Sequence, residues 1–141
     1  MWDTRMAMTL QKAGMIERMK KIVADTEGVL FACIFGSFVE RDHYRDVDVA
    51  VYLDDPSRTD TLAFEFSLEE KLEKALSFPC DVRVINQAPL GFLYSVLSQK
   101  ILLIDRDSTR RACFESLVYR MYFDYQHLLR DYLAEVGNAP V

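Results

Sequence analysis

The chain has 141 residues, half of them hydrophobic and 28% charged, with a formal net charge of −5. That length suits one domain with a real hydrophobic core rather than two, and the composition reads as globular, not disordered. The acidic balance argues against clamping a polynucleotide on a basic surface but leaves a nucleotide ligand open, since a divalent cation can supply positive charge; no apolar stretch approaches the roughly 20 residues that span a bilayer. Residues 9–26 read as a first helix, with Leu10, Ala13, Met15, Ile16, Met19, Ile22 and Val23 at helical spacing. Gly28 stops it before an apolar run, residues 29–35, which reads as a central strand covered on both faces. A short helix is expected from Ser37 to near His43, then a second strand over 47–53 and a turn at Asp54-Asp55-Pro56-Ser57. A third helix covers about 60–77, its charges forming a solvated face, and Phe78-Pro79 ends it. Residues 80–85 alternate as a third strand, Leu90 to Ser98 form a short helix, and 100–105 a fourth strand. From Ser108 the chain reads as helix almost to Gly137, with a break expected near Asp124.

These elements alternate as α-β-α-β-α-β-α-β-α without linker, repeat or low-complexity segment. They imply a single α/β domain over 1–141, with a mixed sheet of about four strands flanked by helices and a long C-terminal helical segment from about 108. The opening MWDTRMAMTLQKAG lacks the apolar core of a signal peptide, although Met6 and Met8 leave open a later translation start. Cys33, Cys80 and Cys113 are scattered, with no CxxC pair, which fits a reducing cytoplasm. With only His43 and His127, no zinc site is expected. The C-terminal stripe of Phe114, Leu117, Val118, Met121, Tyr125, Leu128, Leu129, Tyr132 and Leu133 is expected to pack on the sheet. Tyr119, Tyr122 and Phe123 add aromatic area on other faces, consistent with a homodimer or a bound partner chain.

The chemistry concentrates between Ile34 and Leu53. The first strand breaks at Gly36-Ser37, where a strand turning into a helix aims backbone N–H groups at a phosphate. Asp46-Val47-Asp48 then opens the second strand, and two carboxylates two residues apart share one face and can converge on a divalent cation. Asp81, at the head of the third strand, is a third acid that can face them if the second and third strands are neighbours. The plain alternatives are a solvated acid at a strand start, a turn residue after Pro79, and a Ser N-cap at Ser37, the last compatible with a phosphate cradle.

Gly36-Ser37, a short loop and Asp46-Val47-Asp48 resemble the GS…DxD signature of the nucleotidyltransferase superfamily that includes DNA polymerase β. The small size is most similar to the minimal (MNT) nucleotidyltransferases, many of them antitoxins encoded beside HEPN-domain proteins. The resemblance implies Asp46, Asp48 and Asp81 as catalytic, metal-binding acids holding one or two Mg²⁺ ions. It implies Gly36 and Ser37 on the phosphates of ATP, transfer of AMP to a hydroxyl, and as acceptor a tyrosine of a HEPN ribonuclease toxin. The family continues its GS pair with a small residue, an Arg and a Gly, where this chain has Phe38-Val39-Glu40-Arg41 and a loop about two residues shorter. Arg41, and beside it Arg45, are the candidates for the phosphate contact. Two other readings stand beside this one: an antitoxin that neutralises its toxin by binding alone, and a modifier of small molecules of the aminoglycoside type.

Overall fold

The structure, a computed structural model, describes residues 4–138. Residues 1–3, the first of the MWDTRMAMTLQKAG opening, and residues 139–141 lie outside it. The elements run α1 (Thr4–Ala24), β1 (Val29–Phe35), α2 (Ser37–Glu40), β2 (Val47–Leu53), a 3₁₀ turn (Pro56–Arg58), α3 (Thr61–Leu76), β3 (Cys80–Val84), α4 (Leu90–Ser98), β4 (Ile101–Asp105) and α5 (Ser108–Asn138). The four strands form one mixed sheet in the order β3-β2-β1-β4, with β1 antiparallel to both β2 and β4 and β2 parallel to β3. No helix among the described residues is long and apolar enough to cross a membrane.

Alternation along β2 sorts the molecule into layers. Val47, Val49, Val51 and Leu53 join Met15, Met19 and Val23 of α1 and Leu68, Leu72 and Leu76 of α3 in one apolar cluster. Ala50 and Tyr52 face the other way, onto Leu93, Val96 and Leu97 of α4 and Phe114 and Val118 of α5. β1 is covered on both faces, as an uninterrupted apolar strand requires. A register shift between Val29 and Phe31 turns Leu30 and Phe31, consecutive residues, into the same α4/α5 layer.

β3 is an edge strand, and its outward N–H groups are closed by α3. Glu69 Oε1 accepts from the Val82 amide at 2.9 Å and Glu73 Oε1 from the Cys80 amide at 3.1 Å. Four helical residues rise about 6 Å and two strand residues about 6.6 Å, so one helix face can serve alternate strand amides. These acids therefore do more than solvate the helix: they block the edge against pairing with another chain. Elsewhere, the Arg106 guanidinium donates to the carbonyls of Ala24, Thr26 and Val29, closing the end of α1 onto β1. The Asn86 side chain donates to the Leu53 carbonyl and accepts from its N–H, extending β2 by one side-chain rung.

Several expectations need correction. α1 begins at Thr4, a turn and more before residue 9, its first turns lying largely in solvent. α2 ends at Glu40 because Arg41 turns extended (φ −128°, ψ 155°), and its N-cap is Gly36, Ser37 being the first helical residue. α5 is unbroken through Asp124, as follows from the absence of Pro or Gly between Ser108 and Val136. Only its first turns pack on the sheet, through Phe114 and Val118; Leu128, Leu129, Tyr132 and Leu133 are exposed. Of the aromatics on its other faces, Tyr119 and Tyr122 pack on Tyr94 of α4, Tyr122 stacked at 3.8 Å, and Phe123 is exposed.

Replacing Glu69 and Glu73 together by Ala leaves two edge amides without partners. The expected loss is about 2 kcal/mol in urea unfolding, with less than half that loss for the Gln pair, whose amide oxygens still accept.

Candidate active site

The site is built where β1 ends and β2 and β3 begin. Phe35, the last residue of β1, pairs with Asp48, and Asp48 lies in register with Asp81 on the parallel neighbour β3. Their odd- and even-numbered neighbours, Val47, Val49, Cys80 and Val82, point into the α1/α3 core. By alternation Asp48 and Asp81 face the α4/α5 side of the sheet, at its open end. Both are half-buried, as is Asp46, one residue before β2.

Gly36 is bound to this place for two separate reasons. Its φ of +78° lies in the region that side-chain-bearing residues avoid. In addition, a Cβ there would stand 2.6 Å from Asp48 Oδ2. The turn after β1 is thus laid directly against the carboxylate of β2, and a methyl group would separate them.

The carboxyl of Asp48 is pushed up to about 6 from its ordinary 3.8, first by burial, then by the charges of Asp46 and Asp81, with Arg83 pulling the other way. Asp48 therefore senses both other acids. Among the described residues, however, no three His, Cys, Asp or Glu side chains are gathered as a ready metal cage. The expected convergence is incomplete, and repulsion between like charges is the physical reason: Asp81 Oδ2 turns to the Arg83 guanidinium at 3.5 Å. The donor set still fits Mg²⁺, since it is all oxygen and anionic, and a cation would relieve the charges that push Asp48 upward.

Beside Asp46 opens a cleft of about 500 Å³ lined by Ser37, Arg41, His43, Tyr44, Arg45 and Asp46. It brings both candidate arginines beside Ser37, whereas Glu40 is exposed at the end of α2. α2 is one turn long, so any phosphate contact there comes from local N–H and hydroxyl groups, not from a summed helix dipole. Two residues that the sequence did not single out hold the loop. Tyr44 packs edge-on to Phe38 at 4.7 Å and against Phe78 at 5.2 Å, and its hydroxyl meets Met15 Sδ at 3.5 Å. Burial raises its phenol above the usual range. Lys12 of α1 donates from Nζ to the Phe38 and Arg41 carbonyls at 2.6 and 2.7 Å and sits over the Phe38 and Tyr44 rings. An aromatic residue in a polar loop was the one available signal for Tyr44; Lys12, 26 residues before Phe38, left none.

The raised Asp48 means that the fold favours its protonated form. That contribution is whole below the unfolded pKa and is lost as pH rises through about 6. Asp48→Asn is therefore expected to stabilise the metal-free protein near pH 7.5, with a gain that shrinks as pH falls toward about 4.5, read from urea midpoints. Gly36→Ala should cost about 1–2 kcal/mol or more by the same measurement. Part of that cost should vanish in an Asp48→Ala background, which removes the carboxylate the methyl meets.

Residues 17–109 match the family model "Polymerase beta, Nucleotidyltransferase". No curated protein sequence matches the chain. Among solved structures, the chain is similar to one described as a toxin–antitoxin with AMP-PNP, at 22% identity and TM-score 0.68, over 86% of this chain and 98% of that one. It is similar also to a tri-AMPylated HEPN toxin of Shewanella oneidensis in complex with MNT antitoxin, at 22% identity and TM-score 0.62, over 92% and 98%. A third is the toxin–antitoxin MntA–HepT, at 20% identity and TM-score 0.61, over 92% and 98%. At these identities the structural likeness speaks for the fold, whereas the family match covers most of the chain and includes Gly36, Ser37, Asp46, Asp48 and Asp81. The chain belongs to the polymerase β nucleotidyltransferase family.

Proposed function

We propose that the chain is an antitoxin that transfers AMP from ATP to a tyrosine hydroxyl of a HEPN ribonuclease toxin. The observation that carries this reading is the placement of Asp48, in register with Asp81, beside Asp46 and against Gly36. Similarity to complexes that contain an AMPylated HEPN toxin or AMP-PNP supports the donor and the acceptor.

Asp46, Asp48 and Asp81 would hold one or two Mg²⁺ ions, which when bound neutralise charge on the triphosphate. Gly36 and Ser37 hold the β- and γ-phosphates, and the Arg41 and Arg45 guanidiniums, lining the same cleft, offer paired donors to phosphate oxygens. The acceptor oxygen attacks the α-phosphorus, the bond to the bridging oxygen breaks, and pyrophosphate leaves with the electron pair. The hydroxyl proton passes to a carboxylate oxygen of Asp81, whose charge Arg83 steadies at 3.5 Å. Catalysis then rests on positioning and charge neutralisation. AMP on the toxin adds bulk and negative charge beside its own site, which silences it.

A second reading, neutralisation by binding alone, is favoured by Glu40, which stands where the family pattern has Gly, and by a loop about two residues shorter than the family's. The two separate in one experiment. The protein is mixed with ATP, Mg²⁺ and a HEPN-domain protein from the same genome, and the intact mass of the latter is read, with Asp46→Ala/Asp48→Ala alongside. An increment of one AMP or a short run, absent with the double mutant, is expected. An unmodified toxin inhibited equally by both proteins would leave only binding.

A further inference from the structure

The last four turns of α5 carry an apolar surface with no sheet beneath it. The helix starts at the end of the sheet opposite the acids, where Arg110 pairs with Asp54 beyond β2. It passes Phe31 and Tyr52 at Phe114, and by Glu115 it reaches Lys100, just before Ile101, the partner of Ile34. It therefore leaves the sheet at the corner where β1 ends and β4 begins, the same end at which Asp48 and Asp81 lie. From Phe123 to Gly137 every residue but Gln126 is exposed. That overhang is roughly 22 Å long.

The stripe that seats α5 on the sheet continues along the overhang without a change of phase. Phe114, Val118, Met121, Tyr125, Leu128 and Tyr132 follow one another at alternating steps of four and three, and Leu129 and Leu133 widen the face. Leu128 is 68% and Tyr132 62% exposed. Along one border of this face run Asp124, Asp131 and Glu135, an acidic line. A second copy of the chain fits poorly. The antiparallel two-fold pairing of such helices lays like border against like border, here acid beside acid, between chains of net charge −5.

We propose that the overhanging face of α5 is the surface on which the protein acceptor docks, through an apolar helical patch bordered by basic side chains. Bound there, the acceptor stands at the active end of the sheet, about two strand spacings, roughly 10 Å, to the side of Asp48. A small substrate needs no such surface. The assignment rests on the transfer to a HEPN-domain protein proposed above.

The test uses the full-length protein and the HEPN-domain protein of the mass assay. Leu128→Asp/Tyr132→Asp is expected to weaken the complex at least about 30-fold and to cut AMP transfer in proportion, with ATP affinity by calorimetry unchanged. Asp124→Lys/Asp131→Lys/Glu135→Lys, which leaves the apolar face whole, is expected to slow association about tenfold and to flatten its salt dependence. Either set binding and modifying the HEPN protein like the wild type overturns the surface assignment and leaves the transferase reading standing. A wild-type dimer that Leu128→Asp/Tyr132→Asp dissolves, with HEPN binding intact, overturns it in favour of a second copy. A wild-type protein that neither binds nor modifies the HEPN protein removes both proposals, and that outcome shows in the wild-type arm alone.

Discussion

The structure turns on the approach of Gly36 to Asp48. Phe35 and Asp48 are the last pair of the β1–β2 ladder, so the chain that leaves β1 must turn immediately beside a carboxylate. Only a residue without a side chain can do so at a φ of +78° and with 2.6 Å between its missing Cβ position and an oxygen. One contact thereby ties the Gly36 turn to the Asp48 carboxylate, and it fixes their separation by backbone geometry. Rigid strands on one side and a one-turn helix on the other leave few degrees of freedom for the site to lose when substrate arrives.

That arrangement stores repulsion. Asp46 and Asp81 both push the Asp48 carboxyl upward, and Asp81 escapes part of the strain by turning to Arg83. Three acids at one sheet end suit a divalent cation, which in the proposed function a triphosphate would bring with it. The rest of the fold answers with fastening elsewhere. Glu69 and Glu73 seal β3, the strand that carries Asp81, and Lys12 and Tyr44 anchor the loop that carries Arg41 and Arg45.

Most strand and helix positions were readable because their signals are local. β1, β2 and α4 sit where the apolar runs and turns placed them, and the GS turn and DxD acids were visible as spacing alone. The pairing of Asp48 with Asp81 was readable only as a condition, since no sequence pattern states which strands are neighbours. What could not be read was long-range. Lys12 reaches carbonyls 26 and 29 residues away, and Glu69 and Glu73 look like any solvated face until β3 is laid beside them. The break expected at Asp124 failed for the opposite reason, since a polar residue amid aromatics does not interrupt a helix that has neither Pro nor Gly.

The length of α5 then acquires a physical reason. A helix needs only its first turns, to about Phe123, to cover the sheet and stack on Tyr94. The further turns bury nothing among the described residues, and helical propensity alone supports an apolar overhang poorly in water. Their cost in exposed Leu and Tyr is offset only if something else covers them. The domain is thus complete as a fold at about Phe123 and incomplete as a surface, and the incompleteness lies at the end where Asp48 and Asp81 open. A transferase that modifies a macromolecule has two separate demands, on the donor and on the acceptor. If the proposed transfer holds, the sheet end would meet the first, and the helix that runs past it the second.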